Sequence, residues 1–248
     1  MLATRAVALL SCLRTPPFRA CDGAGPPAVV MQAPSGCKYG SKQYWDGMYS
    51  GSGQAAEDGL PATAYSWYCG WSELQPFWEE LVPSTAARVL IPGVGNDVAA
   101  VDLFDAGWNR LTIFDYSQQA VERAAHLFAD RPVDQLLTAD ATALPMRDGA
   151  FDAVLDKGTL DAIGIAGEEQ LVAATSELAR TCSPGAVVVS VSRALDAELL
   201  LSAFDRAKWD AIRDGGLHIT ECGAASTDLG ASLFAWRRRA PARQDRTP

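Results

Sequence analysis

Two glycines separated by one residue, Gly93 and Gly95, follow the short apolar run RVLIP at 88–92. Glycine has no Cβ, so a turn built from it lets the backbone come close to a ligand. A dinucleotide fingerprint would need a third glycine at 98, where Val98 stands, and this disfavours a nicotinamide or flavin site. Asp115 closes the next apolar run, RLTIFD, 20 residues after Gly95. A carboxylate there can accept both hydroxyl hydrogens of a ribose. Asp140 ends a third run, QLLTAD, placed to accept from an adenine amino group, with the backbone N–H of Ala141 available to a ring nitrogen. A glycine turn followed by successive acidic strand ends suits an adenosine without phosphates.

S-adenosylmethionine fits that description, and its sulfonium is a cation with no hydrogen-bond donor on sulfur. Aromatic faces within about 6 Å stabilise such a cation. Four of the seven tryptophans lie between 45 and 78, and Trp45, Tyr49 and Trp67 are the candidates for cofactor packing. Tyr68 and Trp71 are candidates for lining an acceptor channel. Lys157, one of four lysines, follows a fourth apolar run, FDAVLD, where it can meet the cofactor end or a neighbouring carboxylate. An amine acceptor must lose a proton from a free pKa of about 10.4, which desolvation lowers while a carboxylate orients the nitrogen. Asp156 and Asp161 are the candidate catalytic carboxylates. Either can instead cap the helix that starts beside them.

These residues need a scaffold that places strand ends side by side. Apolar runs at 88–92, 110–115, 135–140, 151–156 and 186–192 alternate with helical patterns at 97–105, 117–130 and 168–182, the last stopped by Ser183-Pro184-Gly185. Such βα alternation implies a parallel sheet covered by helices on both faces. LHITECG and ASLFAWRR then form an antiparallel hairpin across a short turn, bringing the strands to seven. Ahead of the sheet, KYGSKQYWDGMYSGSG, a Gly/Ser/Ala linker and AYSWYCGWSELQPFWEELV suggest an aromatic cap, with Phe77 and Trp78 at helical spacing from Leu74 and Leu81.

From 37 to about 236 the chain resembles the class I, seven-strand methyltransferases. Within that class it is similar to the eukaryotic protein lysine methyltransferases of elongation factor 1-alpha and, around DKGT and the hairpin, of citrate synthase. The resemblance rests on YWDGMY (44–49), SWY (66–68), LIPGVGND (90–97), FDYS (114–117) and above all FDAVLDKGTLDA (151–162). It implies a Rossmann-like, doubly wound α/β sheet with a C-terminal antiparallel hairpin. It also implies S-adenosylmethionine held by Trp45, Tyr49, Trp67, Gly93, Asp115, Tyr116, Asp140, Ala141 and Lys157, to which the turn adds Gly95, and methyl transfer to a lysine of a protein. Two positions depart from the family pattern: Ile91 replaces an acidic residue two before the first glycine, and Val94 a frequent cysteine or threonine. Neither removes a backbone contact.

Length and composition bound the alternatives. The 248 residues, 48% hydrophobic and 21% charged, suit a globular domain. The formal charge of −9 argues against a nucleic-acid binder, which needs clustered positive charge. Residues 31–236 hold 13 basic and 28 acidic groups, −15 in all, between an N-terminal stretch of +2 and a tail from Arg237 of +4. The expected organisation is therefore a leader over 1–36, one domain over 37–236 and a basic tail over 237–248. No apolar run reaches the roughly 18–20 residues of a membrane span. Six cysteines without a CxxC pair point to a reduced, cytoplasmic setting, or to an organelle if the acid-poor residues 1–30 are a transit peptide. Two histidines outside any zinc pattern read as structural, and no metal is expected. A protein substrate and a monomer complete the expectation. The competing readings are a small-molecule methyltransferase and a noncatalytic cofactor-binding partner.

Overall fold

The computed structural model describes residues 38–57, 62–219 and 231–240. The leader and the end of the basic tail lie outside them. A 3-10 turn, Lys38–Gly40, leads into α1 (Lys42–Ser50), α2 (Gly53–Glu57) and α3 (Trp71–Leu81). Then come β1 (Val89–Pro92), α4 (Ala99–Asp105), β2 (Leu111–Asp115), α5 (Gln118–Leu127), β3 (Gln135–Thr138) and β4 (Phe151–Lys157). The chain continues through α6 (Thr159–Ala166), α7 (Glu168–Thr181), β5 (Cys182–Ser192), α8 (Ala197–Ala203), β6 (Trp209–Ile219) and β7 (Ala231–Arg238). Among the described residues no helix is long and apolar enough to cross a membrane.

The seven strands form one sheet in the order β3-β2-β1-β4-β5-β7-β6. The first five are parallel, and β7 runs antiparallel between β5 and β6. The order reverses between β1 and β4, where ligands of open α/β sheets bind beyond the C-terminal strand ends.

Period-two alternation splits each inner strand between two cores. Val89 and Ile91 of β1, Ile113 of β2 and Leu155 of β4 face α3 and α4, where Leu74, Trp78 and Leu103 are wholly buried. Leu90, Phe114, Val154 and Val188 face the opposite layer, made by α6, α7 and α8 through Leu160, Leu171, Leu178 and Leu200. A third, smaller cluster joins Tyr44, Met48 and Tyr49 of α1 to Ala120 of α5, so the aromatic cap has its own packing over the strand ends.

The structure corrects several boundaries. Ser183-Pro184-Gly185 does not precede the fifth strand but lies within β5, where the register with β4 slips between Phe151–Cys182 and Ala153–Val187. The irregularity tolerates a proline that a regular ladder would exclude. The expected Gly/Ser/Ala linker contains a short helix, α2. The hairpin is longer than its apolar patches, since β6 begins at Trp209, eight residues before Leu217. The reason is alternation weakened by Asp210, Arg213, Asp214 and two glycines. The turn expected between its strands falls on residues outside those described.

Candidate functional site

The site is built at the C-terminal ends of β1, β2 and β4 and in the turns beyond them. Gly93 and Gly95 both have φ of +54°, the left-handed region that suits glycine. A Cβ on Gly93 would collide with Thr159, and one on Gly95 with the hydroxyl of Tyr49. The turn is therefore pressed between α6 and the cap. Val94 N–H donates to the Phe114 carbonyl at 3.2 Å, holding the turn against β2.

Asp115 is 3% exposed. One of its oxygens accepts from Gly95 N–H at 3.0 Å and the other from Ser117 N–H at 2.9 Å. Burial pushes its carboxyl up to about 6, against the pull of these backbone bonds. Ser117 caps α5 through Ala120 N–H, as its place before the helix predicts. Tyr116 is half-buried, with the Lys42 ammonium 5.7 Å from its ring centre, and burial raises its phenol. Asp140 stands exposed beyond β3, one oxygen accepting from both the N–H and the hydroxyl of Thr142 at 2.8 and 2.7 Å. Ala141 is half-buried beside it.

The cap brings its rings together over the turn. Trp45 stacks on Tyr49 with centres 6.0 Å apart and planes 19° from parallel, and meets Trp67 edge-on at 5.6 Å. Trp67, Gly93, Val94, Asp97 and Lys157 line one cleft. Burial and the negative charge of Asp115 raise the Tyr49 phenol well above its usual range. Trp71, by contrast, leaves the site. It points into the core and meets Trp108 at 6.2 Å, because α3 turns its apolar face to the sheet. It does not line an acceptor channel.

Residues 65–69 cross the strand ends as a strap. Tyr65 pairs with Asp97 in a single parallel bridge, donating to the Asn96 carbonyl at 3.0 Å and accepting from Val98 N–H at 3.1 Å. Lys157 meets a neighbouring carboxylate, one of its two expected partners. Its ammonium lies 2.8 Å from Asp97 Oδ2, donates to the Cys69 carbonyl at 2.8 Å and reaches the Ser66 hydroxyl at 3.3 Å. Asp97 also accepts from Ala99 N–H at 2.9 Å, fastening the start of α4. Sequence reasoning placed Asp97 only at a helix start, and no local pattern pairs it with Lys157.

The two candidate catalytic carboxylates differ in placement. Asp156 is fully buried and caps α6 with one oxygen, accepting from Thr159 and Leu160 N–H at 2.9 and 3.1 Å. Its other oxygen accepts from the Ser190 hydroxyl at 2.5 Å, and burial pushes the acid up to about 7. This is the capping alternative, and it leaves Asp156 facing the core. Asp161 is 2% exposed and accepts from the Ser192 hydroxyl (2.5 Å), Arg193 N–H (2.9 Å), Ala194 N–H (3.1 Å) and the Tyr68 hydroxyl (2.8 Å). It joins the strap to the loop after β5.

The arrangement can grip adjacent hydroxyls at Asp115 and surround a cation with aromatic faces. A family model described as a methyltransferase domain matches residues 90–190. The Bos taurus protein EEF1A lysine methyltransferase 4 is 36% identical over 173 residues, covering 69% of this chain and 63% of that one. The Homo sapiens eEF1A lysine and N-terminal methyltransferase is 28% identical over 180 residues, 69% of this chain but 24% of that protein. The chain thus spans about six tenths of the length of the first relative and a quarter of the second. Among solved structures, N-methyltransferase NodS from Bradyrhizobium japonicum WM9, in complex with S-adenosyl-L-homocysteine, superposes with a TM-score of 0.52 at 17% identity, covering 68% of this chain and 86% of that one. At that identity the likeness concerns the fold. The chain therefore has the doubly wound, seven-strand α/β fold of these structures, matches a methyltransferase-domain model over residues 90–190, and is similar to the lysine methyltransferases of elongation factor 1A.

Proposed function

We propose that this protein is an S-adenosylmethionine-dependent methyltransferase acting on a lysine of a protein substrate, a translation elongation factor in particular. The observation that carries the reading is Asp115. It is buried at the C-terminal end of β2, beside the glycine turn after β1, with one backbone N–H bonded to each oxygen, which leaves both oxygens lone pairs for a pair of vicinal hydroxyls. The surroundings fit the rest of the group. Gly93 and Gly95 let the turn fit under Thr159 and Tyr49 next to Asp115, and Asp140 with the Ala141 N–H suits the adenine. Tyr116 borders the ribose end, and Trp45, Tyr49 and Trp67 offer rings to a sulfonium. Lys157 braces Asp97 and the strap beside the cleft, with its charge near the end where an amino-acid carboxylate would lie.

When bound, S-adenosylmethionine supplies a methyl group on positively charged sulfur, taken by an amine lone pair as the carbon–sulfur electron pair stays with sulfur. The protein's own contribution is alignment, worth several orders of magnitude in rate, and desolvation of the amine, which favours its neutral form. The proton leaves to water before transfer. A domain over 37–236, with a leader before it and a basic tail after it, completes the proposal.

The test incubates the protein with methyl-labelled S-adenosylmethionine and purified elongation factor 1A or a whole-cell extract, followed by mass spectrometry of the labelled band. Label on lysine of a protein is expected. Label confined to small molecules would transfer the reading to a metabolite methyltransferase, and cofactor binding without any transfer would make the protein a binding partner. Calorimetry on Asp115→Ala should find cofactor affinity abolished, and undiminished affinity would refute the ribose assignment.

A further inference from the structure

Tyr68 combines three unusual features. Its φ is +65°, and among the described residues it alone holds such an angle without being glycine. A bulky side chain there is strained and persists only where its surroundings overdetermine it. Its ring lies so close to Gly158 that a Cβ on that glycine would approach ring carbon Cε2 to 2.8 Å. Its hydroxyl donates to Asp161, a carboxylate that already accepts from Ser192, Arg193 and Ala194. Asp161 does not need this fourth donor to be satisfied. The strained backbone, the glycine beneath the ring and the surplus bond all fix one phenolic oxygen.

We propose that Tyr68, and not Asp156 or Asp161, meets the acceptor: its phenolic oxygen accepts a hydrogen bond from the N–H of the incoming neutral amine. Asp161 is the positioning residue behind it. The inference rests on the lysine methyltransferase reading above. The two carboxylates are 0% and 2% exposed, and of the two hydroxyls bonded to Asp161 that of Ser192 belongs to a buried residue, whereas Tyr68 is half-buried. A phenol has a single proton. With that proton committed to Asp161, the oxygen presents only lone pairs, which suits an amine that must keep its own lone pair free for the methyl group. Burial and the neighbouring carboxylates raise the phenol far above neutrality, so it stays protonated and acts as an acceptor, not as a base. The strap also sets the place, because Trp67, the preceding residue, lines the cleft beside Gly93. Its ring is 6.5 Å from that of Tyr68. Donor-side and acceptor-side residues thus sit next to each other in the chain.

The test compares wild type, Tyr68→Phe, Asp161→Asn and the double variant in the full chain, with purified elongation factor 1A as acceptor. If wild type labels a different protein of a cell extract, that protein is used. Tyr68→Phe should lower kcat about tenfold or more, the loss of one hydrogen bond made in the transition state. The acceptor KM, cofactor affinity by calorimetry and melting temperature should stay near wild-type values. The double variant should be no slower than the slower single variant, since the two groups act as one unit. Wild-type kcat in Tyr68→Phe would overturn the proposal while leaving the lysine reading intact. A parallel fall in cofactor affinity or melting temperature would assign Tyr68 to the fold and overturn it too. Wild type that labels no protein at all would remove the lysine reading and this inference with it.

Discussion

At the scale of single residues, the site depends on acids held away from water. Asp115 titrates near 6 when buried in place of its ordinary 3.8. The fold therefore prefers the protonated acid, and the contribution of this group to stability falls as pH rises from about 4 through 6, by about 3 kcal/mol in full. Ribose hydroxyls would donate to the ionised form, so ligand binding works in the opposite direction. Cofactor affinity should be level above about pH 6 and fall up to tenfold per unit below it, with proton release on binding near pH 5.5. Calorimetry across pH 5 to 7.5 in buffers of different ionisation enthalpy checks this. A flat affinity would show that Asp115 does not receive the hydroxyls. Lys157 and Asp97 obey a different rule, because a buried pair is costly to break and of modest net value when whole. Their role is to fix the strap, through Cys69 and Ser66, as much as to stabilise the fold.

Among elements, the turn after β1 and helix α1 constrain one another. Gly95 adopts a left-handed backbone under the hydroxyl of Tyr49, and Arg123 of α5 donates to the Tyr49 carbonyl at 2.9 Å, which holds the end of α1 in place. Gly95→Ala must pay for the backbone angle and displace Tyr49. It should lower stability by about 2 kcal/mol and weaken cofactor binding at the same time. Denaturant midpoints together with calorimetry read both effects, and a variant with wild-type values in each would mean that the cap yields freely. Strand β7 shows the same interdependence on the far side of the sheet. Its Trp236 stacks on Phe204 with ring centres 3.7 Å apart, and Phe234 lies 5.9 Å away. This packing joins the hairpin to the layer containing α8.

The whole molecule carries −9, and its body −15. Much of that charge is spread over exposed helix faces and loops, for example Glu79, Glu122, Asp130 and Asp148. Such a field attracts a basic partner and is screened by salt, with a Debye length of about 10 Å at 0.1 M. Methylation of a lysine-rich protein should therefore lose kcat/KM steadily as ionic strength rises, mostly through KM, while cofactor affinity changes little. Initial rates over a salt series test this, and a salt-independent kcat/KM would make the acidic surface a matter of solubility alone.

Much of this architecture was legible in the sequence. The order of strands and helices, the glycine turn, Ser117 as helix cap and the acidic ends of β2 and β3 all follow from local periodicity and turn chemistry, which neighbouring residues encode. The tertiary structure decided the rest. Lys157 could have faced a cofactor or a carboxylate, and only the fold brought Asp97 to it. Asp156 and Asp161 were equivalent as sequence, yet one caps α6 and the other holds Tyr68 from 93 residues away. Trp71 read like its aromatic neighbours until the face of α3 placed it in the core. Pro184 looked like a breaker and proved to sit in a slipped strand. Residue type and spacing specify which elements form and which groups are available. Which groups meet depends on contacts between distant segments and on burial, and neither is written in any local window of the chain.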